Sequence, residues 1–143
     1  MTLVLLSLLL MSAPSAVAET KPYVHQRIQK CVPLPGGGCR VSIVAKTWHR
    51  KGSAKRGVGW VYASLGRPAR SKTYSARWLY KTPGGSWKVG GGWKRTRHRG
   101  GNAGAFVETW WGSDGHTGPR FSRKTRLCTE FREVTTKACV TLT

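Results

Sequence analysis

The chain has 143 residues, of which 25 are Lys or Arg and 5 are Asp or Glu, so its formal net charge is +20 at pH 7. That length accommodates one small domain, with or without a targeting segment, and excludes a large multidomain enzyme. A charge this high favours anionic polymers or surfaces as the surroundings of the protein, although it does not bear on the fold.

The amino terminus carries an apolar run, Leu3 to Met11, that only Ser7 interrupts and that Ala16-Val17-Ala18 follows. A short apolar run that ends in a small-x-small site is typical of a secretory signal peptide. The run is shorter than the roughly 20 apolar residues needed to span a bilayer. We therefore expect a signal peptide over 1–18 with cleavage after Ala18, no transmembrane segment, and a secreted mature chain.

The next residues, 19–30, are polar and show no clear hydrophobic period. They are interpreted as either a flexible arm or a first strand. The remaining residues, 31–143, are predicted to form a single β domain.

Cysteine usage suits an oxidising compartment, and four cysteines allow three pairings. Cys31 and Cys39 flank a turn-rich loop of Pro and Gly, whereas Cys128 and Cys139 are far enough apart in sequence to close a hairpin. We therefore predict the two local disulfides, Cys31 with Cys39 and Cys128 with Cys139. A zinc site is disfavoured because the sequence has neither a Cys-x-x-Cys motif nor a Cys–His cluster.

Alternating apolar and polar residues predict short strands along the rest of the chain. The segments with this pattern are 40–48, 58–63, 73–81, 87–94, 105–111, 125–131 and 137–143. Trp60 and Trp78 lie on apolar faces of this pattern and are predicted to be core residues. The predicted fold class is all-β: a small, disulfide-braced antiparallel β-sandwich or barrel of six to seven short strands.

The segment 87–94 has an unusual glycine content for a strand, since it contains Gly90-Gly91-Gly92. Glycine weakens a strand and often marks a bulge or the close approach of another group. We therefore expect an irregular strand at this position.

Groups suited to catalysis are scarce. Glu108, His116 and Arg120 would supply the base, the acid and the phosphate contact of a small secreted ribonuclease. Pairing of Glu108 with a neighbouring cation, and an ordinary turn at His116, explain the same residues without catalysis. No serine-nucleophile elbow and no phosphate-binding glycine loop is present. We therefore expect a protein without catalytic residues, metal or cofactor, with the ribonuclease as a less favoured alternative.

Two segments join a tryptophan to a dense basic run. Arg and Lys bind phosphate, sulfate and carboxylate groups, and aromatic rings stack on bases or sugars. Basic clusters of this kind are typical of patches that bind heparin or nucleic acid. The candidate binding residues are Trp48, Arg50 and Lys51 in the first segment, and Trp93, Lys94, Arg95, Arg97 and Arg99 in the second.

The function predicted from the sequence is that of a secreted, cationic binding protein that engages an anionic polymer or cell surface through basic, Trp-containing loops. The expected partners are an anionic polysaccharide, a cell-wall polymer, an anionic membrane surface or extracellular nucleic acid. An alternative is a protein–protein module, either an inhibitor or an adaptor subunit of a secreted antibacterial or toxin assembly, that docks on a secreted protein by strand addition. No motif identifies a family, although the combined features are typical of small secreted bacterial binding or inhibitory proteins.

Overall fold

The computed structural model describes residues 21–100 and 104–143, so the predicted signal peptide lies outside the described residues. These residues contain ten β-strands and no helix, and thus no helix long and apolar enough to cross a membrane. The strands are β1 (Tyr23–Pro33), β2 (Cys39–Arg50), β3 (Lys55–Gly66), β4 (Ser75–Lys81), β5 (Lys88–Arg95), β6 (Arg97–Arg99), β7 (Phe106–Gly112), β8 (Arg120–Ser122), β9 (Arg126–Phe131) and β10 (Lys137–Thr141).

The strands form two antiparallel sheets. The larger sheet has the order β1-β2-β3-β7-β6, with β8 paired to the start of β3, and the smaller sheet has the order β10-β9-β4-β5. Both sheets contribute to one hydrophobic core, so they face each other. The all-β, antiparallel prediction is confirmed, whereas the predicted six to seven strands were too few.

The uncounted strands lack the hydrophobic alternation that identifies a half-buried strand. Residues 19–30, interpreted as an arm or a first strand, supply most of β1 from Tyr23 onward, paired along β2. β6 consists of Arg97, His98 and Arg99, all exposed, and β8 is only three residues long. Pairing with a neighbouring strand, which the local sequence does not reveal, is what orders these segments.

The core follows from alternation in the longer strands. Val41, Ile43 and Ala45 of β2 point inward and are fully buried, as predicted from the pattern at 40–48. Burial of each large aliphatic side chain contributes about 1.5–3 kcal/mol. The partners that complete the core are Val61, Ala63, Leu65 and Val107 from the larger sheet, and Ala76, Trp78, Leu127, Phe131, Ala138 and Val140 from the smaller sheet.

Both predicted disulfides are confirmed. Cys31 is bonded to Cys39, with a sequence separation of 8, and Cys128 is bonded to Cys139, with a separation of 11. The first closes the β1–β2 turn, and the second joins directly opposed residues of β9 and β10. Each constrains the unfolded chain and contributes about 2–3 kcal/mol in the chain-entropy description.

Of the two predicted core tryptophans, Trp78 is buried with 4 % of its surface exposed, and that prediction is confirmed. The prediction for Trp60 is wrong, because its side chain is half-buried on the outer face of the larger sheet. Lys46 lies opposite Trp60 while Thr47 lies opposite Val58, so Gly59 is an extra residue in β3. This β-bulge reverses the alternation, which sends Val58 inward and Trp60 outward.

The glycines of β5 make room for Trp78. A Cβ atom at Gly90 would lie 2.2 Å from the Trp78 ring, and one at Gly91 would lie 2.4 Å from its Nε1 atom. The β4–β5 register shifts on either side of Trp78, which confirms the predicted irregular strand. The indole therefore fills the space that side chains on β5 would otherwise take, and β5 is held against the core through its backbone.

Candidate functional site

The outer face of the larger sheet presents one continuous set of side chains, because the register of four neighbouring strands places them in rows. Arg27 of β1 lies opposite Lys46 of β2, which lies opposite Trp60 of β3. In the next row, Val44 lies opposite Tyr62, and Tyr62 lies opposite Trp110 of β7. We call this surface, from Trp48 at one end to Arg99 at the other, the larger-sheet face.

One end of the larger-sheet face combines aromatic rings with arginines. The Trp48 indole packs against Gly57, where a Cβ would lie 2.1 Å from the ring, and its Nε1 donates to the Thr117 carbonyl at 2.8 Å. The Arg120 guanidinium lies 5.7 Å from the centre of the same ring. The Arg50 guanidinium lies 5.3 Å from the centre of the Tyr23 ring.

The middle of the face is an aromatic strip. The rings of Trp60 and Tyr62 are nearly parallel, 17° apart, with their centres separated by 5.6 Å. The Lys46 ammonium lies 5.2 Å from the centre of the Trp60 ring and 2.9 Å from the Asp114 carboxylate. A cation–π contact of this kind holds the lysine side chain in place over the indole ring, and the ammonium charge stays accessible to a ligand.

At the other end, cations surround Trp110. The Arg97 guanidinium lies 4.2 Å from the ring centre, and the Lys94 ammonium, 5.8 Å from that centre, donates to the Trp110 carbonyl at 2.7 Å. Arg97 and Arg99 both donate to the Glu108 carboxylate, at 3.1 and 2.9 Å. Glu108 thus fixes the two guanidinium groups of β6 at the surface.

Glu108 is itself strongly held. Burial favours a higher pKa, but hydrogen bonds from Tyr62, Arg99 and Arg97 outweigh it, and the pKa of the Glu108 carboxyl is below its ordinary value. Burial and the hydrogen bond to Glu108, 2.8 Å long, raise the pKa of Tyr62 to about 12. Glu108 therefore remains an anion at neutral pH and acts as an anchor for cations.

These rows enclose a shallow groove of about 460 Å³, a volume in the range of ligand sites. Along β2, the six residue steps from Ser42 to Trp48 correspond to about 20 Å of strand. An extended polymer chain lying across the face would meet cations at both ends and aromatic rings between them. The groove is lined by Arg27, Val44, Trp60, Tyr62, Arg97, Glu108 and Trp110.

The structure brings together five of the eight residues predicted from the sequence. Trp48 and Arg50 lie at one end of the larger-sheet face, and Lys94, Arg97 and Arg99 lie at the other. Arg50, Arg97 and Arg99 lie in strands rather than in the loops that were predicted. The intervening residues Arg27, Lys46, Trp60, Tyr62 and Trp110 were not predicted, because only the strand register shows that they share a face.

Three predicted residues lie elsewhere. Lys51 is exposed in the turn after β2, and Arg95 is exposed opposite Ser75 at the end of β5. Trp93 lies over Arg77 on the outer face of the smaller sheet, with ring centre and guanidinium 4.5 Å apart. The segment from Trp93 to Arg99 therefore passes from one sheet to the other instead of forming a single patch.

Of the groups considered for ribonuclease chemistry, Glu108 lies away from the other two, since His116 and Arg120 both lie near the Trp48 ring. Glu108 is four residues from Gly112 along β7, about 13 Å of strand, and its carboxylate is occupied by Arg97 and Arg99. His116 lies beyond Gly112, stacked on the Tyr23 ring, with its Nε2 atom 2.8 Å from Nε2 of His25. This histidine pair, 91 residues apart in sequence, was not predicted.

Within 21–100 and 104–143, no group of three or more His, Cys, Asp or Glu side chains is arranged to hold a metal ion. In comparisons with protein-family models, curated proteins and solved structures, none matches this chain.

Proposed function

We propose that this chain is a secreted, non-enzymatic protein that binds a linear anionic polymer across the larger-sheet face. The ligand chemistry is a chain with regularly spaced sulfate, carboxylate or phosphate groups, as in acidic polysaccharides, cell-wall polymers and nucleic acids. The two disulfides support export, since such bonds persist in oxidising compartments.

One observation carries the proposal: two basic, aromatic segments that are distant in sequence occupy opposite ends of one sheet face. Trp48 and Arg50 belong to β2, whereas Arg97 and Arg99 belong to β6. Lys46 and Arg27 continue the positive charge between them. A core-forming role does not explain this arrangement, because these cations lie on the side of the sheet away from the core.

The charges on the face favour a polyanion over a small anion. Arg27, Lys46, Arg97 and Arg99 are all exposed. Asp114 and Glu108 compensate only part of their charge, so the remaining like charges repel one another. A bound polymer relieves that repulsion and releases its own condensed counterions, which drives association without sequence specificity. The half-buried rings of Trp60 and Trp110 add contact area for sugar rings or bases.

The test is the affinity for heparin at a series of salt concentrations. We expect the triple variant Arg27→Ser, Lys46→Ser, Arg97→Ser to bind at least tenfold more weakly at low salt, with a slope of log affinity against log salt shallower by about 2–3. The matched control is Lys81→Ser, Arg126→Ser, Arg132→Ser, which removes the same charge from the outer face of the smaller sheet.

If the two triple variants lose equal affinity, binding follows net charge alone and the larger-sheet face is not the site. Repeating the titration with a single-stranded oligonucleotide identifies the preferred polymer, since both probes share the spaced anions but only one offers bases for stacking.

A further inference from the structure

The outer face of the smaller sheet carries an exposed apolar patch that the polymer proposal does not use. Trp87, Val89 and Trp93 are 44 %, 53 % and 38 % exposed. They are three of the four exposed large hydrophobic side chains in the described part of the chain, and the fourth, Tyr23, lies on the larger-sheet face. We call these three residues the Trp87 patch.

The position of the patch follows from the packing of β5. Trp78 occupies the space under Gly90 and Gly91, so β5 lies over an indole and its own large side chains project away from the core. β5 is also the last strand of the smaller sheet, bonded only to β4 within that sheet. Val89 lies opposite Leu79 on the outward side of this sheet edge, and the exposed Trp87 lies two residues before it, just ahead of β5.

Cations surround the Trp87 patch. The guanidinium groups of Arg77 and Arg132 lie 4.5 and 4.8 Å from the centre of the Trp93 ring. Lys81, at the end of β4, lies opposite Arg126 of β9, and both are on the same side of the sheet as Leu79, the partner of Val89. All of these cations except Arg77 are exposed.

The acidic groups of this face are already engaged. Glu130 accepts hydrogen bonds from Arg77 and pairs with Lys137 at 2.6 Å, and it is buried. Glu133 accepts from the Ser75 backbone N–H at 3.1 Å. The apolar patch therefore has a positively charged rim.

We propose that the Trp87 patch attaches the protein to the surface of a bilayer that contains anionic lipids. Tryptophan is favoured at the depth of the lipid head groups, where its ring is in the apolar boundary and its N–H reaches polar groups. Lys and Arg around such a patch are attracted to anionic head groups. The attachment is peripheral and reversible.

This inference does not depend on the polymer proposal, since it uses the opposite side of the molecule. The two outer faces are separated by two sheet layers, and facing sheets alone are about 10 Å apart, about one Debye length at physiological salt. Charges of the larger-sheet face therefore contribute little to the attraction between the protein and a membrane that the Trp87 patch contacts.

The test is sedimentation with vesicles of phosphatidylcholine containing roughly one-third phosphatidylglycerol, compared with vesicles of phosphatidylcholine alone. We expect binding to the anionic vesicles, and a loss of about tenfold or more in the double variant Trp87→Ser, Val89→Ser. The triple variant Arg27→Ser, Lys46→Ser, Arg97→Ser is the control and should stay within about threefold of the parent. Heparin affinity should be unchanged in the double variant.

Equal losses in the double and triple variants, or no binding to anionic vesicles, would overturn the inference. Self-association of the parent without lipid, abolished in the double variant and seen by analytical ultracentrifugation, would assign the patch to a second copy of the chain instead. If the double variant is unstable, fluorescence replaces it: in the parent, brominated lipids should quench tryptophan emission, and Trp87→Phe should bind as the parent does with less quenching.

Discussion

The two outer faces of the molecule use the same residue types, tryptophan with Lys and Arg, in different ways. On the larger-sheet face, Trp60 and Trp110 are half-buried within a continuous sheet, and cations lie over their rings. On the smaller sheet, Trp93 projects from the edge strand β5, Trp87 immediately precedes that strand, and both are more exposed. A charged surface with recessed rings suits an extended polyanion, whereas protruding rings with a charged rim suit an interface between water and apolar material.

The largest expected effect concerns the indole beneath β5. Trp78→Ala should lower the free energy of unfolding by about 3–5 kcal/mol, because it empties the space under Gly90 and Gly91 that no neighbour is able to fill. Thermal or urea unfolding measures the loss. The matched control is Trp93→Ala, whose exposed ring should cost no more than about 1 kcal/mol. Similar losses in both would contradict the inward and outward orientation of these two tryptophans.

The two disulfides are expected to differ through burial. Cys128 is 2 % exposed within the smaller sheet, whereas Cys31 is exposed in β1. Replacing Cys128 and Cys139 by Ser should cost about 3–5 kcal/mol, since a buried hydroxyl is added to the lost cross-link. Replacing Cys31 and Cys39 should cost about 2–3 kcal/mol. Denaturant titrations of the two variants test this order, and the reverse order would show that the β1–β2 turn limits stability.

Glu108→Gln, on the larger-sheet face, is expected to change stability and heparin affinity in opposite directions. The variant should lose about 1.5–3 kcal/mol of folding free energy, because charge-assisted hydrogen bonds from Arg97 and Arg99 are weakened. It should also bind heparin about threefold more tightly at low salt, since one negative charge leaves the site. A weaker affinity would mean that positioning of Arg97 and Arg99 by the carboxylate outweighs its charge.

The same carboxylate makes a pH-dependent contribution. The pKa of Glu108 in the folded chain lies below its ordinary value, so its stabilisation is present above the unfolded pKa of about 4.3 and is lost as the pH falls through the folded pKa. The pKa of Glu130, which pairs with Arg77 and Lys137, also lies below its ordinary value, so its stabilising contribution is likewise lost at low pH. As the pH is lowered from 5, the melting temperature should therefore fall less steeply in Glu108→Gln than in the parent. Parallel curves would show that protonation of Glu108 does not contribute to acid unfolding.

The smallest effect is expected at the centre of the aromatic strip. Trp60→Ala should weaken heparin binding by about threefold to tenfold, through lost stacking and a less well held Lys46. Its effect on stability should be about 1–2 kcal/mol, because the ring lies on the outer face of the sheet and not in the core. A loss of unfolding free energy as large as that of Trp78→Ala would show that Trp60 is a core residue, as the sequence pattern predicted.

Alternation along β2 and the close spacing of the cysteines are local features, and they were sufficient to predict the fold class and both disulfides. The orientation of Trp60 was not predictable, because one extra residue at Gly59 reverses the alternation. β6 was missed since its three residues are ordered by pairing with β7 and by Glu108. The larger-sheet face joins residues of β1, β2, β3, β6 and β7, so only the register of the sheet reveals it.

The central claim is that the two faces bind different partners, and the seven indole N–H signals in a proton–nitrogen NMR spectrum test it most directly. Heparin oligosaccharide should shift the signals of Trp48, Trp60 and Trp110 and leave those of Trp87 and Trp93 in place. Anionic vesicles should broaden the Trp87 and Trp93 signals selectively beyond the general loss of intensity on binding. If heparin instead shifts Trp87 and Trp93 and leaves Trp60 and Trp110 unchanged, the assignment of partners to faces is wrong.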